Sequence, residues 1–422
     1  MNIRLKYGEV YKEFVLPDKN ILGILEMQHV DAVSEPENHI SEQLHNPIST
    51  PTLKDLINKK KPKNIVVIVS DITRPGPFAL LLKIMLKELI SDGITKENTH
   101  IVIANGTHRK MTEKEMRYHY GDWVIDNFSI ENHDCRADDL VHVGTMRSGN
   151  ELHINKRVSE ADFLITIGII SPHYFAGFSG GRKSILPGIC GYETIRQNHS
   201  NIVHDYASLG NVGDDNKIHL EMSEAAEMVG VDFTVQAILN EKKELVRCFA
   251  GALDEAFYEG VKYFKDRNSI KFSEKSDAVI VSAGGYPKDL NFYQSQKALN
   301  ATIDLVKPGG TIVLIAECRN NIEQDEMEKE LRNADSIDEL LVVDQKKIQI
   351  GGHRAFATGR LLKQADILVV SKMDPELVKA VHFTPVASVE EAFEFITRKE
   401  GKNFTCYIVP SGGMFFPLEI TE

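Results

Sequence analysis

The sequence predicts an α/β protein of two α/β domains with mainly parallel sheets and an active-site cleft between them. Three observations predict it. Apolar runs of strand length recur along the chain, each ends in a short polar loop, and the loops lead into stretches of helical periodicity. Continuous apolar runs, rather than alternating ones, mark strands buried on both faces, as in parallel sheets.

Residues 2–16 alternate apolar and polar across a charged break, which predicts a β-hairpin. A polar stretch follows to Pro51, with helical pieces over 38–45 and 52–59. The run Asn64–Ser70 (Asn-Ile-Val-Val-Ile-Val-Ser) predicts the first buried strand, and Leu81, Leu82, Ile84, Met85, Leu86 and Leu89 give 78–91 the apolar face of a helix. Strands follow at His100–Ala104, before the turn Asn105–His108, and at Phe163–Ile170, before Ser171-Pro172-His173. Helical patterns occupy 191–207 and 217–229. The polar tract 265–276 marks a boundary. Beyond it come strands at 277–282, 311–316, 340–343, 366–370 and 404–410, with helices at 290–306, 322–333, 354–364 and 389–398. The expected division is a first domain over 1–270 and a Rossmann-like second domain over 275–405. Residues 406–422 are expected as a tail returning to the first domain.

Composition narrows the function. The 422 residues are 42% hydrophobic and 26% charged, the balance of an ordinary globular protein. Lys and Arg number 49 against 61 Asp and Glu, a net charge of −12, so phosphate backbones repel the chain and nucleic acid is excluded as a general partner. The longest apolar run is far below the ~20 residues of a membrane span, and the charged N-terminus does not read as a signal peptide. Five dispersed cysteines without a Cys-x-x-Cys pair fit reduced thiols and a cytoplasmic protein.

Chemistry-bearing residues gather at strand ends, where ligands of open α/β sheets collect. The loop 171–184 (Ser-Pro-His-Tyr-Phe-Ala-Gly-Phe-Ser-Gly-Gly-Arg-Lys-Ser) resembles a phosphate cradle, but Arg182 stands where a P-loop requires Gly before its Lys. That failure, with no magnesium partner in view, disfavours a phosphotransferase. The bland alternative is a tight turn with an exposed basic pair. Ser70–Pro77 brings Asp71 and Arg74 together between rigid prolines, and Asn105–Arg109 places His108 at the neighbouring strand end. One loop histidine is more often a surface or capping residue. Two of them, His108 and His173, with Arg and Lys alongside, favour proton transfer. His199 and His204, five apart in a helical stretch, face different ways and read as structural by spacing. In the second domain Gln294 and Lys297 share one helix face and could hold a carboxylate, or could form a plain solvated first turn. Gly351–Arg354 reads equally as a helix start.

Taken in order, these motifs resemble the nickel-pincer lactate racemase family: Ser-Asp-Ile-Thr-Arg-Pro at 70–75, Asn-Gly-Thr-His-Arg at 105–109, the long 171–184 loop, Asn198-His199, and Tyr-Gln-Ser-Gln-Lys at 293–297. The resemblance implies an isomerase that interconverts the enantiomers of lactate or a related small 2-hydroxy acid by hydride transfer through a 2-oxo acid. It implies a nickel(II) complex of pyridinium-3,5-bisthiocarboxylate mononucleotide, attached covalently at Lys183, with His199 as the protein ligand to nickel. Asp71, Ile72, Thr73 and Arg74 would contact the cofactor, with Arg74 also near substrate. His108 and His173 would be acid and base, one for each enantiomer, and Gln294, Lys297 and Tyr293 would bind substrate. Cofactor-making enzymes are the implied partners. The only tryptophan is Trp123, whereas some lactate-type members place one near the position of Phe356, so a larger 2-hydroxy acid is the alternative substrate. A non-catalytic nickel or metallocofactor carrier is the alternative of a different class.

Overall fold

The computed structural model describes residues 1–27 and 29–419, and the chain divides into two compact units. A central unit comprises residues 29–199 and 210–267. A termini-bearing unit comprises the chain's first residues, 200–209, and the chain from 268 onward. No helix among the described residues is long and apolar enough to cross a membrane.

The central unit is a six-stranded sheet in the order Leu245–Gly251, Phe233–Leu239, Phe163–Ile169, Ile65–Ser70, Thr99–Ala104, Ser129–Asn132. All neighbours run parallel except Leu245–Gly251, which returns antiparallel to Phe233–Leu239. The predicted apolar runs are its buried middle, with Ile65 to Val69 fully buried. Register matters for function. Ser70 pairs with Ala104 and Val69 with Ile167, so three adjacent strands end level and release their loops at one edge. The helix Phe78–Ser91 packs its Phe78, Leu81, Leu82, Met85 and Leu89 into this core. The expected helix 191–207 stops earlier, as Tyr192–Ser200 followed by one 3₁₀ turn, Asn201–Val203.

The termini-bearing unit is a second six-stranded sheet, all parallel: Thr384–Pro385, Asp366–Val370, Val306–Ile315, Ser276–Ser282, Cys406–Val409, Ile21–Ile24. This corrects the expected boundaries at both ends. The N-terminal hairpin (Asn2–Tyr7 with Val10–Val15) is present, but its Ile3, Leu5 and Phe14 join a core with Ala278, Ile280 and Val313 rather than the first domain. Cys406–Val409 is an interior strand rather than a tail, because its apolar side chains pair with Ser276–Ser282 on one side and Ile21–Ile24 on the other. Pro417–Glu419 pairs with Ile270–Phe272 in the same unit, and residues 420–422 of the expected tail lie outside the described residues.

The expected strand at 340–343 is also corrected. It is the end of a helix, Ile337–Leu341, whose first turn is capped by Ser336 accepting from the Glu339 N–H. A four-residue apolar run does not separate strand from helix, and here Val342 is 82% exposed. Elsewhere the expected helices are found, as Asp325–Asn333, Gly352–Gln364 and Val389–Glu400.

Truncating Leu5, which is buried, to Ala is expected to cost about 2–5 kcal/mol. Limited proteolysis under mild urea should place the new cuts within 268–419. Cuts confined to 29–199 would overturn the assignment of the hairpin to the termini-bearing unit.

Candidate active site

The level strand ends put Asp71 and His108 in contact. Asp71 follows the strand Ile65–Ser70 and is buried, and its Oδ1 accepts from the Thr73 N–H and from the Thr73 hydroxyl at 2.6 Å. Its Oδ2 lies 2.8 Å from Nδ1 of His108, which is 44% exposed. Burial pushes the Asp71 carboxyl up, but the hydrogen bonds from His108 and Thr73 and the Arg74 charge outweigh it, so the net shift is down. An ionised carboxylate only accepts, so Nδ1 of His108 carries a proton, and the neutral form of the ring therefore has its lone pair on Nε2. The guanidinium of Arg74 bonds to the Thr73 hydroxyl and carbonyl, and is not an ion-pair partner of Asp71 among the described contacts. Arg109 instead makes a two-pronged ion pair with Glu115, which closes the capping box of the helix Glu113–Tyr120.

The Gly-rich loop meets this pair from the next strand. Gly106 donates to the Gly188 carbonyl, and Gly188 donates to that of Lys183. A Cβ on Gly188 would stand 2.2 Å from the Ser184 carbonyl oxygen and 2.8 Å from Ala104, so only glycine allows the two loops this close. Gly181 donates to Oε1 of Gln236 at 2.9 Å, and Gln236 is tied through Thr234 to Thr166 inside the sheet. Arg182 is entirely buried, against the reading of an exposed basic pair. It donates to the carbonyls of Ala176 and Phe178 and, from Nε, to Nδ1 of His219 at 2.8 Å. Burial and the Arg182 charge press His219 down to about 3, so that ring is neutral and its Nε2–H faces the Tyr258 hydroxyl. Sequence reasoning missed Gln236, His219 and Tyr258. Thr234 and Gln236 are polar residues in an otherwise apolar strand, a signal that was there to find.

Beyond the loop's short hairpin, Phe175 gathers the remaining groups. The His173 ring is edge-on to it at 4.5 Å, the His199 ring at 4.9 Å, and Nζ of Lys183 lies 5.4 Å from its centroid. His173 accepts the Ala176 N–H on Nδ1 at 3.3 Å, so its neutral ring carries the proton on Nε2. His173 and His108 are therefore held in opposite tautomers. A primary amine and an imidazole close to one aromatic ring suit a covalently attached group whose metal takes one protein nitrogen. Among the described residues no three or more of His, Cys, Asp and Glu are arranged to hold a metal ion, so a metal at His199 would take its other donors from such a group. His204 is separated from His199 by the end of the helix and stacks on Tyr206 in the termini-bearing unit.

In that unit, Asn291 caps the helix Phe292–Thr302 by accepting from the Gln294 N–H. Lys297 donates from Nζ to Oε1 of Gln294 at 2.7 Å, so the two form one polar pair on the helix's first turns. Tyr293 lies under the Arg354 guanidinium, 3.9 Å from its ring centroid, and Phe356 is buried in the helix Gly352–Gln364. Trp123 sits in the central unit against Phe128.

Comparison with known proteins agrees with the motifs. Residues 7–210 match the lactate racemase N-terminal domain and 272–415 the lactate racemase C-terminal domain. A lactate racemase of Thermoanaerobacterium thermosaccharolyticum is 35% identical, covering 97% of this chain and 98% of its own. One of Lactiplantibacillus plantarum is 34% identical over 94% of this chain and 95% of its own. The lactate racemase apoprotein structure from T. thermosaccharolyticum superposes with a TM-score of 0.92 at 32% identity, covering 99% of this chain and all of that one. A Thermotoga maritima protein at 19% identity and TM-score 0.66 shares the fold. The motif order, the level strand ends and these matches along nearly the whole length make the chain a member of the lactate racemase family, an enzyme of the isomerase class.

Proposed function

We propose that the protein interconverts the enantiomers of lactate or a related small 2-hydroxy acid, passing through the 2-oxo acid. The observation that carries this reading is two loop histidines in opposite tautomers, one of them beside the Phe175 ring that also meets Lys183 and His199. Lys183 would hold the nickel–pincer mononucleotide and His199 would ligate its metal, with Ile72, Thr73 and Arg74 among the contacts. When bound, that group supplies a reversible acceptor for the hydride of the substrate carbon.

The chain's own residues handle charge and protons. His108 takes the substrate hydroxyl proton on Nε2, and Asp71 stabilises the imidazolium that results. To take the hydroxyl proton of the other enantiomer on Nε2, His173 would give up the Ala176 N–H contact and carry its own proton on Nδ1, become imidazolium as it accepts, and return the same proton to the oxygen when the 2-oxo acid is reduced. Gln294 and Lys297 grip the carboxylate, a charge-assisted contact that the acidic chain supplies locally. Arg74 adds positive charge on the cofactor side. Tyr293 and the buried Phe356 shape the apolar end of the substrate site, and the lack of a tryptophan beside Phe356 favours testing larger 2-hydroxy acids next to lactate. Five cysteines without disulfides support a cytoplasmic location, and cofactor-making enzymes are the partners this reading requires.

Intact-protein mass spectrometry after co-production with those enzymes should show an adduct that a Lys183→Ala variant lacks. An unmodified Lys183 in active protein would sink the reading. In loaded enzyme, Asp71→Asn is expected to lower kcat by roughly 10²–10⁴-fold, the range a positioned general base contributes, with KM little changed. Lys297→Ala should raise KM for the hydroxy acid by roughly 10–100-fold, since a hydrogen bond to a charged group is worth about 1.5–3 kcal/mol. An unchanged KM would remove Lys297 from the carboxylate site.

The acid limb of stability gives a test without cofactor. Folded Asp71 is held below the ordinary 3.8, so its contribution is complete above that value and is lost as pH falls through the lower folded one. Urea midpoints followed from about pH 6 to about pH 2 should therefore fall more steeply for wild type than for Asp71→Asn. Equal slopes would mean that the contact with His108 does not hold in solution.

A further inference from the structure

His199 ends a chain of buried hydrogen bonds. Its Nδ1 lies 3.2 Å from Oδ1 of Asn198. The amide nitrogen of Asn198 donates to Oε2 of Glu221 at 2.6 Å and to the Ile218 carbonyl at 3.3 Å. Oε1 of Glu221 accepts from the Ser148 hydroxyl. Asn198 is fully buried, Glu221 is 5% exposed, and the two stand on different helices, Tyr192–Ser200 and Lys217–Val229.

The direction of this chain is set by chemistry. A carboxylate accepts only, and so does the Ile218 carbonyl, so the Asn198 amide must turn its NH₂ toward both. Its oxygen then faces His199, and an oxygen there requires a proton on Nδ1. A neutral ring with hydrogen on Nδ1 carries its lone pair on Nε2. The opposite tautomer would set two lone pairs against each other inside the protein. Packing against Phe175 fixes the ring's tilt at 68°.

We propose that Asn198 and Glu221 are positioning residues that hold His199 in the Nδ1–H tautomer, so that Nε2 is the nitrogen offered to the metal. The assignment rests on the proposed role of His199, and it makes two residues with no contact to substrate part of metal retention. Outer partners of ligating histidines commonly contribute 10–100-fold in metal affinity.

The test has two arms. In full-length protein labelled with ¹⁵N-histidine and free of cofactor, the His199 ring, assigned by its loss in His199→Ala, should be Nδ1–H. Asn198→Leu and Glu221→Met, which keep volume but remove the polar links, should move it toward Nε2–H. Glu221→Gln keeps an acceptor in place and should restore the Nδ1–H form, which separates orientation from a general loss of packing. In the loaded protein, nickel retained against a chelator, counted per Lys183 adduct, should fall roughly 10–100-fold for Asn198→Leu and Glu221→Met. An unchanged tautomer in both variants, or unchanged nickel retention per adduct, overturns the proposal. Wild-type protein with no adduct would instead defeat the cofactor reading, while the tautomer arm would still decide whether Asn198 and Glu221 orient the ring.

Discussion

The guanidinium of Arg182 lies wholly inside the protein, bonded to two carbonyls of its own loop and to one imidazole nitrogen. Burying a charge without a carboxylate costs several kcal/mol, and the cost is offset here only while each of the three guanidinium nitrogens keeps its acceptor. That condition reaches outward. His219 must stay neutral to accept from Arg182, and the loop carbonyls must point inward. The backbone from Ala176 to Lys183 is thereby closed around the cation, while Gln236 pins the Gly181 N–H from the sheet side. Lys183, the next residue, leaves a loop with little freedom. The proposed attachment point is rigid because its neighbour is costly to bury.

Much of this was legible in the sequence, for a physical reason. Strands buried on both faces must be apolar throughout, so Ile65–Val69 and Phe163–Ile169 announce themselves, and loops that follow such strands share one edge. What was not legible depends on contacts far apart in the chain. Ile21–Ile24 is a short, half-buried edge strand whose partner, Cys406–Val409, lies near the other end of the sequence. Local periodicity carries no record of such pairing, so the strand at 404–410 is legible while its edge partner at 21–24, inside the expected first domain, is not. The burial of Arg182 is hidden for a related reason: an Arg-Lys pair looks the same in sequence whether it is solvated or whether one of the two collects buried carbonyls.

Charge behaves in the same divided way. A net charge of −12 works against polyanions as partners, yet Arg74, Arg182, Lys183 and, in the other unit, Lys297 are each held by named partners or placed beside an aromatic ring. Acidic residues near these groups are themselves committed: Asp71 to His108 and Thr73, Glu115 to Arg109, Glu221 to Asn198 and Ser148. Total charge sets what approaches the protein, whereas the pairing of individual side chains sets what is bound.

The two carboxylates behind the two histidines show how finely that pairing matters. Asp71 touches the His108 ring directly, so its carboxylate fixes the proton on Nδ1 and stands in contact with the ring. Glu221 reaches His199 only through the Asn198 amide. The amide transmits direction, because its two ends are a donor and an acceptor, but it keeps the charge one residue away. A ring meant to take protons needs the charge in contact. A ring meant to offer a lone pair to a metal must stay neutral, and is better served by orientation alone. On the roles proposed for His108 and His199, the same residue type, backed by the same functional group, would be set to two different tasks by whether an amide stands between them.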